Sequence, residues 1–343
     1  MLKWYEKTES QHDIFVARRV RLVRNIEHCS FPARLDNEES RSLLDKMKNE
    51  FSDINSIDGT DYNYYDLEVM GDEYRNMLHE RRIINRTMVD KKSPAGIFLS
   101  EDESSGIILN GDDHMKFYRY SCADSLNDLW EKVNVMDDYI NSHFAYAYSE
   151  KYGYLTSFPT NVGTGMKASV ILHIPTLSGS RQFKTLFNEM GRFGITIKGV
   201  YTESSENYGS LYEISNQKTL GQSEEDILAV VGRMAEQLAA SERKLRSVLL
   251  RSRRISVEDE VYKSFGVLKY ARKLTMKEAM TYLSQVRTGL LDGLISTDKP
   301  VNIFGIMMNI QPTSLARKFN ADGDKELDTV RAEYIRKHLP ELL

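Results

Sequence analysis

Short runs of apolar residues separated by polar clusters dominate the middle of the chain. "AGIFLS" (95–100) and "SGIILN" (105–110) flank the polar "EDES", the pattern of a β-hairpin. A helical span near 124–148 follows. Strand patterns return in "GYLTSF" (153–158), "ASVILHIP" (168–175), "GITIKGVYTE" (194–203) and "SLYEISNQ" (210–217). The last two are joined by "SSENYG", short enough for antiparallel pairing. Residues 1 to about 90 mix short helical and irregular stretches. From Ser223 the period changes. Ile227, Val230, Val231, Met234, Leu238, Leu245, Val248 and Leu249 recur near helical spacing, and Ser223 followed by acids at 224–226 is a helix start. "TMKE" (275–278) is a capping box opening another helix. Helices are grouped rather than alternating strictly with strands, so the pattern predicts an α+β fold, an antiparallel sheet flanked by helices followed by a C-terminal helical domain.

Composition narrows the class. The 343 residues suffice for one large domain or two. Hydrophobic residues at 41% and charged residues at 28% are ordinary for a soluble globular chain. A net charge of -4 gives no bulk positive excess for nucleic acid. Two cysteines make no disulfide framework. No signal-peptide pattern opens the chain, and no apolar run approaches the roughly 20 residues that cross a bilayer, so a cytoplasmic protein without a membrane partner is expected. The seven histidines show no zinc-ligand spacing, there is no GxxxxGK[ST], and the GTG at 163–165 lies between two strands, which excludes a Rossmann reading. No protein metal site is expected.

Candidate chemistry lies in charged residues at strand positions. Arg18, Arg19, Arg21 and Arg24 fall within seven residues. On a strand, Arg19 and Arg21 share one face, and two guanidinium forks suit a polyphosphate; a solvated basic edge is the plain alternative. "NGDDHMK" (110–116) follows a strand with Asp112, Asp113 and Lys116. "TSFPTNVGTGMKASV" (156–170) places a dense turn cluster before Lys167, and "KGVYTE" carries Lys198 and Glu203. Four segments of one sheet would each bring charge to one place.

"RVRLVRN", "NGDDH", "GYLTSFPTNVGTGMKASV", "KGVYTESSE" and "ISNQKTLGQSEEDI" resemble the motifs of the guanidino (phosphagen) kinases, above all their bacterial branch, the protein-arginine kinases. The resemblance continues through "VEDEVYKSFGVLKYARKLTMKEAM" and "LSQVRTGLLDGLI". It implies transfer of the γ-phosphoryl of ATP, with Mg2+ bound through the nucleotide, to a guanidinium nitrogen. Such transfer relies on positioning and charge stabilisation, and the guanidinium, with a pKa above about 12, needs carboxylates to hold it and take a proton. By resemblance the ATP clamp falls on Arg19, Arg21, Lys116, Lys167 and Lys198, and the catalytic carboxylates on Asp112 and Glu203. The TNVGTG turn would bring backbone close to the nucleotide. The resemblance further implies protein substrates with exposed arginine, a Clp-type ATPase, a zinc-binding activator protein and a homodimer. It divides the chain into a phosphotransferase domain (1–245) and a helical domain for dimerisation and phosphoarginine recognition (246–343).

The departures from that pattern lie in the site. The family has Arg where this chain has Lys116, Lys167 and Lys198; charge is kept and the bidentate fork lost. It has Glu where this chain has Gly111 and Asp112, so the carboxylate retreats by roughly one carbon–carbon bond, ~1.5 Å. It has Cys where this chain has Phe158 on the acceptor side. Two readings stand: an altered but working kinase, and a catalytically inactive pseudokinase serving as a nucleotide- and phosphoarginine-binding adaptor in protein quality control. In the tail, "LDTVRA" (327–332) is similar to an RDxxRA phosphoarginine pocket, matching at Asp328, Arg331 and Ala332 and departing at Leu327. The alternative there is an ordinary helix face with Asp328 and Arg331 paired at i, i+3. Basic "ERKLRSVLLRSRR" (242–254) would suit nucleic acid or a membrane surface, but acidic "SEED" before it and "VEDE" after it favour a solvated face.

Overall fold

A computed structural model describes residues 1–7, 13–57, 59–201, 207–321 and 323–343. Its strands are β1 (Phe15–Arg24), β2 (Tyr62–Asp66), β3 (Gly96–Ser100), β4 (Ser105–Leu109), β5 (Met115–Ser121), β6 (Tyr148–Ser149), β7 (Gly153–Tyr154), β8 (Lys167–His173), β9 (Ile195–Gly199) and β10 (Leu211–Asn216). Its helices are α1 (Asn37–Glu50), α2 (Asp72–Glu80), α3 (Arg86–Asp90), α4 (Leu126–His143), α5 (Pro175–Ser178), α6 (Arg181–Arg192), α7 (Glu224–Tyr270), α8 (Met276–Leu291), α9 (Ile303–Asn309), α10 (Pro312–Phe319) and α11 (Asp324–His338). Eight strands form one sheet in the order β2-β3-β4-β5-β1-β8-β10-β9, and β6 pairs with β7. The α+β expectation holds: an antiparallel sheet with helices, then helices alone after β10.

The first compact unit comprises Met1–Trp4, Arg18–Ser169 and Ser215–Gly232. Its centre is the predicted hairpin: Gly96 pairs with Leu109 and Leu99 with Gly106, and every residue of β3 and β4 is buried. In β1, Val20 and Leu22 are fully buried on one face while Arg19 and Arg21 stay part-exposed on the other, the period-2 alternation of a strand. Ser125 and Asp128 form a capping box that starts α4, whose Leu129, Val133, Met136 and Ile140 make a buried stripe at helical spacing.

The second unit comprises Tyr5–Ala17, Val170–Ile214 and Arg233–Leu343, with Leu238, Leu283, Phe304, Met307 and Ile335 in its core. Thr275 and Glu278 form the expected capping box of α8. Two sequence readings need correction. Of "GYLTSF" only Gly153 and Tyr154 are strand, because the amide of Ser157 donates to the Asp113 carboxylate at 2.6 Å instead of to a ladder. The α7 stripe is also interrupted: Val248 is 56% exposed, while Glu242 and Arg246 are buried. Glu242 accepts the amides of Thr176 and Leu177 at 3.2 and 2.6 Å, and Arg246 pairs with Asp292, so polar partners take the positions apolar residues would fill. Helical geometry breaks inside α7 at Arg253, with φ -142° and ψ 37°.

Candidate active site

The register of β1 against β5 sets Arg19 opposite Tyr120, Arg21 opposite Tyr118 and Val23 opposite Lys116. Opposed residues of an antiparallel pair share a face, so Arg19, Arg21 and Lys116 project from one side of two neighbouring strands. Arg19 Nη1 donates to Tyr120 Oη at 2.6 Å, and the guanidinium lies 5.0 Å from that ring's centre. On β4, Gly106 is opposite Tyr118, and a Cβ there would sit 2.9 Å from Tyr118 Oη; glycine makes room for the buried phenol. Burial pushes the Lys116 ammonium down to about 8, with Arg21 adding to the depression and Asp112 opposing it.

The turn joining β4 to β5 divides its two carboxylates between different tasks. Asp113 is 2% exposed and accepts from Asn25 Nδ2 at 2.7 Å as well as from the Ser157 amide. His114 is buried, its Nδ1 accepting from Ile26 N and its Nε2 donating to Ser30 O, each at 3.0 Å; burial lowers its pKa, so it is a neutral fastener. Asp112 faces the cations: its Oδ2 is 3.6 Å from Lys116 Nζ and accepts from Asn85 Nδ2 at 2.8 Å. Lys91 Nζ donates to Gly111 O at 3.2 Å, and burial lowers its pKa while Asp112 opposes the shift. Sequence reading missed Asn85 and Lys91. Asn85 Oδ1 caps α3 by accepting from Met88 N, so its pattern signalled a helix start and nothing more. A Cβ on Gly111 would lie 3.1 Å from Met88 Sδ; methionine occupies the space a longer residue would enter.

The loop bearing Phe158 is tied to that turn. Ser157 Oγ donates to Asp112 O at 2.7 Å, and Phe158 O accepts from Thr156 Oγ1 and Asn161 N, both at 2.9 Å. Its ring is 49% exposed. Gly163 (φ 114°) and Gly165 (φ 66°) are required by close approach of the chain to itself: a Cβ would stand 2.6 Å from Thr219 O at the first and 2.6 Å from Val23 O at the second. Arg24, from the basic cluster, is 1% exposed and belongs to this support. It pairs through two nitrogens with Asp137 at 3.1 and 2.6 Å, and donates to Thr164 O at 2.8 Å. Lys167 opens β8, next to β1 in the sheet.

Arg19, Arg21, Asp112, Lys116, Phe158 and Lys167 thus lie in the first unit, with Asp112 and Lys116 in contact. Lys198 is exposed on β9 in the second unit, and Glu203 lies outside the described residues. In the tail, Arg331 is 2% exposed, bonded to Asp328 Oδ1 at 2.5 Å and to Leu274 O at 2.8 Å, so the i, i+3 ion pair is present.

The clamp expected from the sequence would include a lysine poised near 8 and so carry its own pH dependence. An anionic phosphate favours the protonated ammonium, so affinity for MgADP is expected to fall by up to about tenfold per pH unit as pH rises above about 8. Calorimetry between pH 7 and 9.5 reads it, and Lys116→Arg should flatten the profile because arginine does not deprotonate in that range. A flat profile in the unmodified chain would remove Lys116 from the clamp.

Two family models match the chain: "ATP:guanido phosphotransferase, C-terminal catalytic domain" over residues 42–245, and "Protein-arginine kinase McsB C-terminal domain" over residues 254–342. The chain is similar to a protein-arginine kinase of Caldanaerobacter subterraneus, 32% identical over 328 residues, covering 95% of this chain and 97% of that one. It is 35% identical over 342 residues to the protein-arginine kinase of Bacillus subtilis, covering 98% and 93%. Among solved structures, lombricine kinase shares the fold at a TM-score of 0.59 and 21% identity, over 72% of this chain and 70% of that one.

Proposed function

The chain belongs to the ATP:guanido phosphotransferase family, among the protein-arginine kinases, and we propose that it moves the γ-phosphoryl of MgATP to arginine side chains of proteins at a rate held down by its own substitutions. One observation carries this reading: Arg19, Arg21 and Lys116 share a face of β1 and β5, with the Asp112 carboxylate beside them. The cations would clamp the triphosphate, joined by Lys167 and Lys198, and Mg2+ would arrive on its phosphates. The acceptor nitrogen would form its bond to phosphorus as the bond to the ADP oxygen breaks, and its proton would pass to Asp112 or Glu203. Incubation with MgATP and an arginine-rich protein, followed by detection of acid-labile phosphate on arginine, is the test; no labelling under any condition would overturn transfer.

The second reading, an inactive adaptor that binds nucleotide and phosphoarginine, draws support from the same turn. Asn85 and Lys116 already engage Asp112, and the Phe158 ring stands exposed on the loop tied to it. Residues 1–245 would then hold nucleotide and 246–343 the phosphoarginine site at Asp328 and Arg331. Because Arg331 is buried in its ion pair, a ligand there would have to displace Asp328. Titration with a phosphoarginine peptide is expected to show binding that Arg331→Ala abolishes; equal affinity in both proteins would remove the site. On either reading the partners are proteins with exposed or phosphorylated arginine, a Clp-type ATPase, a zinc-binding activator and a second copy of the chain in the cytoplasm. No helix among the described residues is long and apolar enough to cross a membrane.

A further inference from the structure

The basic stretch 242–254 has no part in the clamp. Counted from Arg243, Arg246 and Arg251 lie three and eight residues on, positions that share one face of a helix, and Arg254 follows just beyond the break at Arg253. All four line a single open cleft of about 620 Å³ within the second unit, where Asp13 and Asp292 complete the charged lining. Two of the guanidiniums are held in place. Arg243 Nη2 reaches both oxygens of Asp13, at 2.9 and 2.7 Å. Arg246, only 7% exposed, is fixed to Asp292 through Nε at 3.3 Å and through Nη2. Arg254 leans on Glu258 at 2.7 Å, and Arg251 makes no ion pair or hydrogen bond among the described residues. Glu236, 3.8 Å from Arg243 Nη1, and Glu258 bring the carboxylates around the four arginines to four, so Arg251 is the one of them left without a carboxylate partner among the described residues.

We propose that this cleft is a polyphosphate-binding site, separate from the nucleotide clamp. Guanidinium forks match phosphoryl oxygens two at a time, so a phosphoryl chain would engage Arg251 first and then take the place of the carboxylates on its neighbours. A single phosphate would engage one or two forks. Four arginines spread over three turns fit a ligand with several phosphoryl groups, and the volume lies in the ordinary range of small-ligand sites, about 300–1,000 Å³. The break in α7 at Arg253 falls between Arg251 and Arg254, so a ligand held by both would bridge it. Inorganic polyphosphate and the phosphate chain of a nucleoside triphosphate share this chemistry.

The full chain is titrated with inorganic tripolyphosphate by calorimetry, alongside Arg251→Ala/Arg254→Ala and, separately, Arg21→Ala. Both cleft arginines are exposed, so the double variant should keep its thermal unfolding temperature. It is expected to weaken one binding component at least tenfold, a component that Arg21→Ala retains and that added salt weakens steeply. Partial recovery in Arg251→Lys/Arg254→Lys would support charge as the cause. Competition by ATP in the Arg21→Ala chain would assign a nucleotide as the ligand, and its absence inorganic polyphosphate. An isotherm of Arg251→Ala/Arg254→Ala identical to that of the unmodified chain, or no tripolyphosphate binding at all, would overturn the site.

Discussion

Arg24→Met is expected to destabilise the first unit by about 3–5 kcal/mol, the cost of leaving one partner of a buried ion pair uncompensated. Arg24 and Asp137 are 1% and 8% exposed, and the pair is bidentate. The guanidinium also lies 3.6 Å from the centre of the Tyr154 ring and donates to Thr164 O, so the loop with Gly163 and Gly165 rests on it. Tyr146 donates to the same Asp137 at 2.8 Å, and burial with that carboxylate pushes its phenol well up. The chain's two tryptophans, Trp4 and Trp130, both belong to this unit, so their fluorescence in a urea titration isolates its unfolding. Arg24→Met/Asp137→Leu should recover much of the loss, because replacing both charges by apolar groups removes the desolvation penalty as well. A midpoint unmoved in the single variant would show that the pair contributes nothing net.

Arg24 also marks the limit of what the sequence discloses. The four arginines of "ARRVRLVR" look alike as letters, and strand alternation correctly sets Arg19 and Arg21 on one face. Arg24 falls on the other face, and only the fold reveals that Asp137, 113 residues away, waits for it. The pair Asp112 and Asp113 behaves likewise. Adjacent in sequence, they point to opposite sides of the turn, one toward Lys116 and one into a buried network with Asn25 and Ser157. Hairpins, capping boxes and the helical C-terminal part were legible because their signals are local: alternation, turn residues and Ser or Thr three residues before an acid. Asn85 and Lys91 were not, because they reach Asp112 and Gly111 through a contact between distant segments that leaves no spacing to read.

Transfer to protein arginine is expected to be slow in the unmodified chain and to rise on the order of a hundredfold in Asp112→Glu/Phe158→Cys, the scale of rate lost when a reacting group sits about 1 Å out of place. Asn85 at 2.8 Å and Lys116 at 3.6 Å hold the Asp112 carboxylate against the strand face. One added methylene would carry the oxygens past both and toward an incoming guanidinium. At position 158 the backbone oxygen, which accepts from Thr156 and Asn161, keeps both bonds whatever the side chain, so cysteine removes the ring without releasing the loop. Gly111 is left alone in this design because Met88 Sδ, 3.1 Å from a Cβ there, would have to move first. The readout is acid-labile phosphate on an arginine-rich protein after incubation with MgATP. Robust labelling by the unmodified chain would show that Asp112 reaches the acceptor as it stands and that Phe158 does not obstruct it. Labelling by neither protein would shift the fault to the proposed clamp, where lysine at 116, 167 and 198 would supply charge without the two-pronged grip that orients a transferring phosphoryl group. Arginine at those three positions is then the decisive substitution, and at 116 it meets the tightest test, because Lys116 is 8% exposed and a longer, planar head must find room between Arg21 and Asp112.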